Sequence, residues 1–211
     1  MSIVVEHEKR RYEILEKALD VFMEEGFENT TFQKIADKCG ITRTTLYIYF
    51  KNKKYIFLFS NKQLLQILEN DINKAAKESG ISYTEKLINV MNVIMDCLKK
   101  NYRIFSVVLD YLVYATKVKK NYDPGLRVRR RTVRLRHILT ALLIAGKKAG
   151  EFSNSINVKD ANELLYGILE AATFRLIVMR RSSVDDLKSA TSQVVHRLGA
   201  NPGGAGQKKQ N

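Results

Sequence analysis

Two prolines in 211 residues leave this chain with almost nothing to break a helix. A strand-built protein of this length needs turn residues every ~8–12 positions. That punctuation is missing here, and apolar residues recur three and four apart rather than two apart. The pattern predicts an all-α protein, and at 45% hydrophobic residues it has material for a core. The length fits one globular domain or two small ones.

The helices can be placed from their apolar stripes and end signals. Over 8–25, Ile14, Leu15, Ala18, Leu19 and Phe22 line one face, and Gly26 ends the segment with Phe27 free to pack back. Thr31 is placed to cap a short helix buried through Phe32, Ile35, Ala36 and Cys39, which Gly40 stops. Thr42 then caps a third helix anchored by Leu46 and Phe50. Longer helices follow at about 53–78, 83–99, 102–118, 124–148, 158–180 and 184–198. Asp123-Pro124 marks one start, and Ser183 with Asp186 resembles a capping box. The face expected to be buried on 158–180 holds Ala161, Leu164, Leu165, Ile168, Ala172 and Leu176. Residues 199–211, GANPGGAGQKKQN, have no large apolar side chain and are expected to form a disordered tail. The opening MSIVVEHEKRR reverses the order of a secretory leader. No apolar run approaches a membrane span.

The stretch TTLYIYF (44–50) could pass alone for an edge strand. After the three-residue turn Cys39-Gly40-Ile41 it reads instead as the second helix of a helix-turn-helix. Such a helix can enter the ~12 Å major groove with its first residues toward base edges. Here those residues are Thr42-Arg43-Thr44-Thr45. Arginine can bond guanine through two acceptors, and threonine offers a hydroxyl and a methyl. Residues 1–54 hold 10 Lys/Arg against 9 Asp/Glu, whereas 30–54 hold 6 against 1. The basic surface is therefore local, as phosphate contact requires. The chain's net charge of +14 also favours anionic partners.

The segment ALDVFMEEGFENTTFQKIADKCGITRTTLYIYFKNKKYIF resembles the N-terminal domain of the TetR family of bacterial transcriptional repressors. The matching features are A-x-x-x-F, G-F, the T-T pair, I-A, G-I-T at the turn, L-Y-x-Y-F and K-x-K, over about residues 14–58. The resemblance implies a DNA-binding domain over 1–52 and a helical ligand-binding and dimerisation domain over 53–198. It implies base or nearby phosphate contacts for Arg43, Thr44 and Thr45. Gln33 is expected to reach a base or phosphate, and Thr31, Tyr49 and Lys53 phosphates; Tyr47 would pack half in the domain and half on the DNA backbone. It further implies a homodimer through helices 158–180 and 184–198, where Gly167, Ala171 and Ala172 allow close approach, bound to a palindromic double-stranded operator. A small-molecule effector, anionic or amphipathic, is expected to release it. The expected pocket residues are Met91, Met95, Tyr102, Phe105, Tyr111, Tyr114 and Phe174. A constitutive DNA-binding protein without effector is the alternative.

The segment KVKKNYDPGLRVRRRTVRLR (117–136) holds nine Lys/Arg and one acid. On a helix Arg127, Arg130, Arg131 and Arg134 share an arc of about 100°. Three readings stay open: a solvated stripe, an anion site for a phosphate- or carboxylate-bearing effector such as an acyl-CoA, and added non-specific attraction to DNA. His7, His137 and His196 are far apart in sequence, and no phosphate-binding loop, nucleophile elbow or metal-ligand spacing occurs. An enzyme, a cofactor and a metal site are not expected. Cys39 and Cys97 sit among apolar neighbours and suit reduced core residues in a cytoplasmic protein.

Overall fold

The computed structural model describes residues 2–118 and 124–199, leaving aside the side chains of 2–4, 60, 63 and 124–131. Among these residues the chain forms nine α-helices and no strand, with one isolated bridge between Phe152 and Gly199. The expected all-α class holds. Residues 200–211 of the expected tail, the cap at Asp123 and the side chains of Arg127, Arg130 and Arg131 lie outside the described residues.

The chain divides into two compact units, one of 1–67 with 101–128 and one of 68–100 with 129–211. In the first unit, α1 (Ser2–Asn29) starts earlier than expected and buries Ile14, Leu15, Ala18, Leu19 and Phe22. At Gly26 the backbone takes φ 78° and ψ 163°, a region open essentially to glycine alone. That turn brings the Phe27 ring back onto Phe22, 5.6 Å between centroids. The buried Thr30 hydroxyl locks it by donating to the Gly26 carbonyl at 2.7 Å. Next come α2 (Phe32–Cys39) and α3 (Arg43–Tyr49), which with α4 (Lys53–Ala76) and α6 (Tyr102–Val118) complete this unit's helices. The division between units falls within α4.

The second unit is built from the end of α4, α5 (Tyr83–Lys100), α7 (Pro124–Lys148) from residue 129 on, α8 (Val158–Ile177) and α9 (Asp185–Arg197). The start of α5 is fully capped. Ser82 and Glu85 bond each other's backbone N–H in a reciprocal box. Glu151, distant in sequence, accepts the Tyr83 and Thr84 N–H groups, each at 3.0 Å. Leu87, Val90, Met91, Ile94 and Leu98 are buried on α5 as expected.

Three expectations for this unit need correction. The Ser183–Asp186 box does not form: Ser183 accepts from Asp185 N–H, while Asp186 turns to Arg175 and to Leu187 N–H. Helix α8 ends at Ile177, not 180, because Arg181 N–H closes back on the Arg175 carbonyl through a left-handed Arg180, φ 51°. Leu164 is not buried but 52% exposed. It lies at i, i+3 and i+7 with Gly167 and Ala171, on a second face of α8 that the described residues leave uncovered.

Candidate nucleic-acid interface

Local sequence sets the pose of α2 and α3. The Thr31 hydroxyl oxygen accepts from Lys34 N–H at 3.2 Å, capping α2. Gly40 ends it in the left-handed conformation, φ 66° and ψ 33°. The Thr42 oxygen accepts from Thr45 N–H at 3.0 Å, capping α3. Leu46 and Phe50 are buried and hold α3 against the domain. The first turn of α3 is thereby left outward, with Arg43 and Thr44 exposed and Thr45 half-buried.

A connected group of side chains surrounds that turn. The Arg43 guanidinium donates to the Tyr47 phenol oxygen at 3.0 Å and lies 5.6 Å from the centre of its ring. Tyr47 packs its other contact on Phe32, 4.7 Å between centroids, yet stays 48% exposed. A large aromatic in that state is a wall for the arginine and a surface for a partner. Gln33 is exposed on α2 and donates to Asp37 at 2.7 Å. Tyr49 stacks on His7 of α1 at 4.8 Å. Thr31, Gln33, Arg43, Thr44, Thr45, Tyr47 and Tyr49 thus all belong to α2, α3 or their caps in one unit.

Lys53, at the start of α4, stands differently. Its ammonium donates to the carbonyls of Phe27, Glu28 and Thr30 at 2.6, 2.9 and 2.7 Å, and lies 4.9 Å from the centre of the Phe27 ring. All three of its N–H groups are engaged. Burial pushes its pKa down, and Glu28 partly offsets this. The α2 lysines are paired as well: Lys34 with Glu25 at 2.5 Å and Lys38 with Glu24 at 3.3 Å. Among the described residues no acid pairs with Arg43, Lys51 or Lys54. Arg43 thus puts an unpaired positive charge on the first turn of α3, and Lys51 and Lys54 add exposed charge just past its end.

The residues expected to line a pocket are divided between the two units. Tyr111 and Tyr114 pack on Phe27 and Phe57 in the core of the first unit. Phe105 is half-buried and Tyr102 exposed on the same helix. In the second unit Met91 and Met95 are fully buried, while Phe174 is 54% exposed on the uncovered face of α8. Arg134 is exposed and paired with Glu69 at 2.5 Å. Sequence reasoning missed Lys53's carbonyl partners and the Asp110 carboxylate, which accepts from Phe27 N–H. Neither partner carries a signal in the pattern of apolar residues. Among the described residues no cluster of acidic, His or Cys side chains could hold a metal, and no helix is long and apolar enough to cross a membrane.

Comparison with known proteins agrees with this geometry. Residues 14–58 match the model of the bacterial regulatory proteins of the tetR family. Over 162 residues the chain is 26% identical to the fatty acid metabolism regulator protein of Bacillus subtilis strain 168, covering 75% of this chain and 78% of that one. The transcriptional regulator PfmR of Thermus thermophilus shares the fold with a TM-score of 0.69, at 24% identity over 90% of this chain and 96% of that one. The regulator FadR of Bacillus subtilis, solved in complex with stearoyl-CoA, does so with a TM-score of 0.62, at 24% identity over 90% and 97%. By its capped helix-turn-helix and by these matches, the chain carries over residues 14–58 the N-terminal domain of the tetR family of bacterial regulatory proteins.

Proposed function

We propose that the protein is a cytoplasmic, homodimeric repressor that binds a palindromic operator and is released by a fatty acyl-CoA. The observation that carries the DNA half is the first turn of α3: Arg43 is exposed, steadied by Tyr47, and followed by Thr44 and Thr45. In this reading Arg43, Thr44 and Thr45 meet base edges or adjacent phosphates. Gln33 reaches a base or phosphate, and Thr31 and Tyr49 contact phosphate. Tyr47 keeps one face on Phe32 and turns the other to the DNA backbone. Lys53 contacts a phosphate by giving up one of its three carbonyls. Residues 1–52 act as the reading head and 53–198 as the sensing and dimerising part.

The uncovered face of α8, with Leu164, Gly167, Ala171, Phe174 and Val178, supports dimerisation through α8 and α9. Exposed apolar patches of this kind mark association surfaces. The acyl-CoA class is supported by the likeness to the Bacillus subtilis fatty acid regulator and by the stearoyl-CoA bound to the similar FadR. The arginine-rich start of α7 suits the phosphates of such a ligand. Release requires the effector to prefer a dimer whose two α3 helices no longer match the half-sites; a full switch takes ~5.5 kcal/mol of preference.

The test is selection of bound sequences from a random duplex pool, followed by anisotropy titration of the winner with and without palmitoyl-CoA. A palindromic winner whose affinity falls on adding palmitoyl-CoA is expected. Affinity that is independent of sequence, or unmoved by palmitoyl-CoA, overturns the corresponding half.

A further inference from the structure

Helix α3 (Arg43–Tyr49) divides into two arcs. At about 100° per residue, Arg43, Tyr47, Thr44 and Ile48 follow one another across about 140°. All four are exposed. Leu46 is buried, Thr45 and Tyr49 are half-buried, and these three take the remaining arc. The Arg43 guanidinium, the Tyr47 ring that steadies it and the Thr44 hydroxyl already have roles in the proposed reading of DNA. Ile48 has none. It is 68% exposed, the highest value among the exposed large apolar side chains of the described residues.

Scattered exposed apolar residues are ordinary, but two features set Ile48 apart. A β-branched side chain loses rotamer freedom in a helix, so at an exposed position it contributes neither packing nor helix stability. It also sits one turn beyond Thr44, on the face that presents Arg43. The surroundings suit a polyanion: α3 carries no acid, Arg43 opens it, and exposed Lys51 and Lys54 follow its end. An isoleucine side chain neither donates nor accepts a hydrogen bond, so it can read no polar base edge and hold no phosphate. The apolar group that a base pair presents in the major groove is the C5 methyl of thymine.

Resting on the reading of α3 as the helix that faces base edges, we infer that Ile48 is a specificity-determining residue that packs on a thymine methyl in each half-site of the operator. That thymine lies at a base pair neighbouring those met by Arg43 and Thr44. The outward face of α3 then reads hydrogen-bonding edges from its first turn and a methyl group from its second.

A deoxyuridine scan of the selected operator tests this, because replacing thymine by uracil removes the C5 methyl and leaves the pairing edge intact. Anisotropy titrations use the full-length wild type and Ile48→Ala. For wild type, deoxyuridine at one thymine position in each half-site is expected to weaken binding about fourfold per half-site, the value of burying one methyl group. Ile48→Ala is expected to bind the unmodified operator more weakly by a similar factor and to lose nothing further from deoxyuridine at that position. Its Tm should match wild type, since the side chain removed is exposed. If no deoxyuridine position weakens wild type, no methyl is read and the inference is overturned. If Ile48→Ala keeps the full sensitivity to deoxyuridine, another side chain reads the methyl and the inference is overturned as well. If wild type binds every duplex alike, the reading of α3 itself fails, and the role of Ile48 falls with it.

Discussion

Lys53 on α4 donates to the Phe27 carbonyl at 2.6 Å, and the same ammonium also holds the carbonyls of Glu28 and Thr30. These acceptors belong to the turn between α1 and α2, where helix carbonyls lose their intrahelical partners. Lys53→Ala leaves them without that donor, and a loss of about 1–3 kcal/mol is expected. At this chain length that is a fall in Tm of roughly 2–12 °C. The proposed phosphate contact adds a second outcome, a salt slope of operator binding reduced by about 1. A lower Tm with an unchanged slope would make Lys53 a clamp alone.

Gly26 is the other hinge of this turn. At φ 78° and ψ 163° an alanine is strained, and its Cβ would stand 3.4 Å from the Asp110 carboxylate. Gly26→Ala should destabilise the protein by about 1–3 kcal/mol in thermal unfolding. An unchanged Tm would mean that the turn does not hold this conformation.

Glu151 makes the second unit sensitive to acid. Partial burial alone would raise its pKa, but the Tyr83 and Thr84 N–H groups and the Thr84 hydroxyl outweigh this and hold it below the ordinary value. A depressed carboxylate contributes stability that is present above the ordinary value of about 4.3 and lost as pH falls through the folded one. Glu151→Gln should therefore lower Tm at pH 7, in line with a lost cap of about 0.5–2 kcal/mol. The gap from wild type should narrow as melts are taken from pH 5 to pH 3. A gap independent of pH would show that its charge is not involved.

Phe174, on the uncovered face of α8, tests the dimer. Phe174→Asp puts a charge where the proposed interface is driest. Light scattering should show a monomer where wild type is a dimer, with helix content retained by circular dichroism and operator affinity reduced. A variant that remains dimeric places the interface elsewhere.

How much was legible in the sequence follows from the range of each signal. Thr31 and Thr42 were readable as caps because they act on an N–H three residues ahead. Gly26 and Gly40 were readable because positive φ is a property of one position. The Glu151 cap on α5 was not, since its partners lie 67 and 68 residues away. Leu164 misled because a helical stripe records that a face is apolar, not whether its cover comes from the same chain. The contacts of Tyr111 and Tyr114 with Phe27 were not legible, because they depend on the backward turn at Gly26. In the candidate site, Arg43, Thr44 and Thr45 were legible from their place at the start of a capped helix. The link from Arg43 through Tyr47 to Phe32 needed the packing of α2 against α3.

The most direct measurement of the central claim is an anisotropy titration of the selected operator and its single-base variants with wild type and Arg43→Ala. The account predicts that Arg43→Ala binds the operator ~1–3 kcal/mol more weakly and loses discrimination at one base pair in each half-site, with Tm unchanged. Equal affinity and the same base preference in both proteins would contradict it.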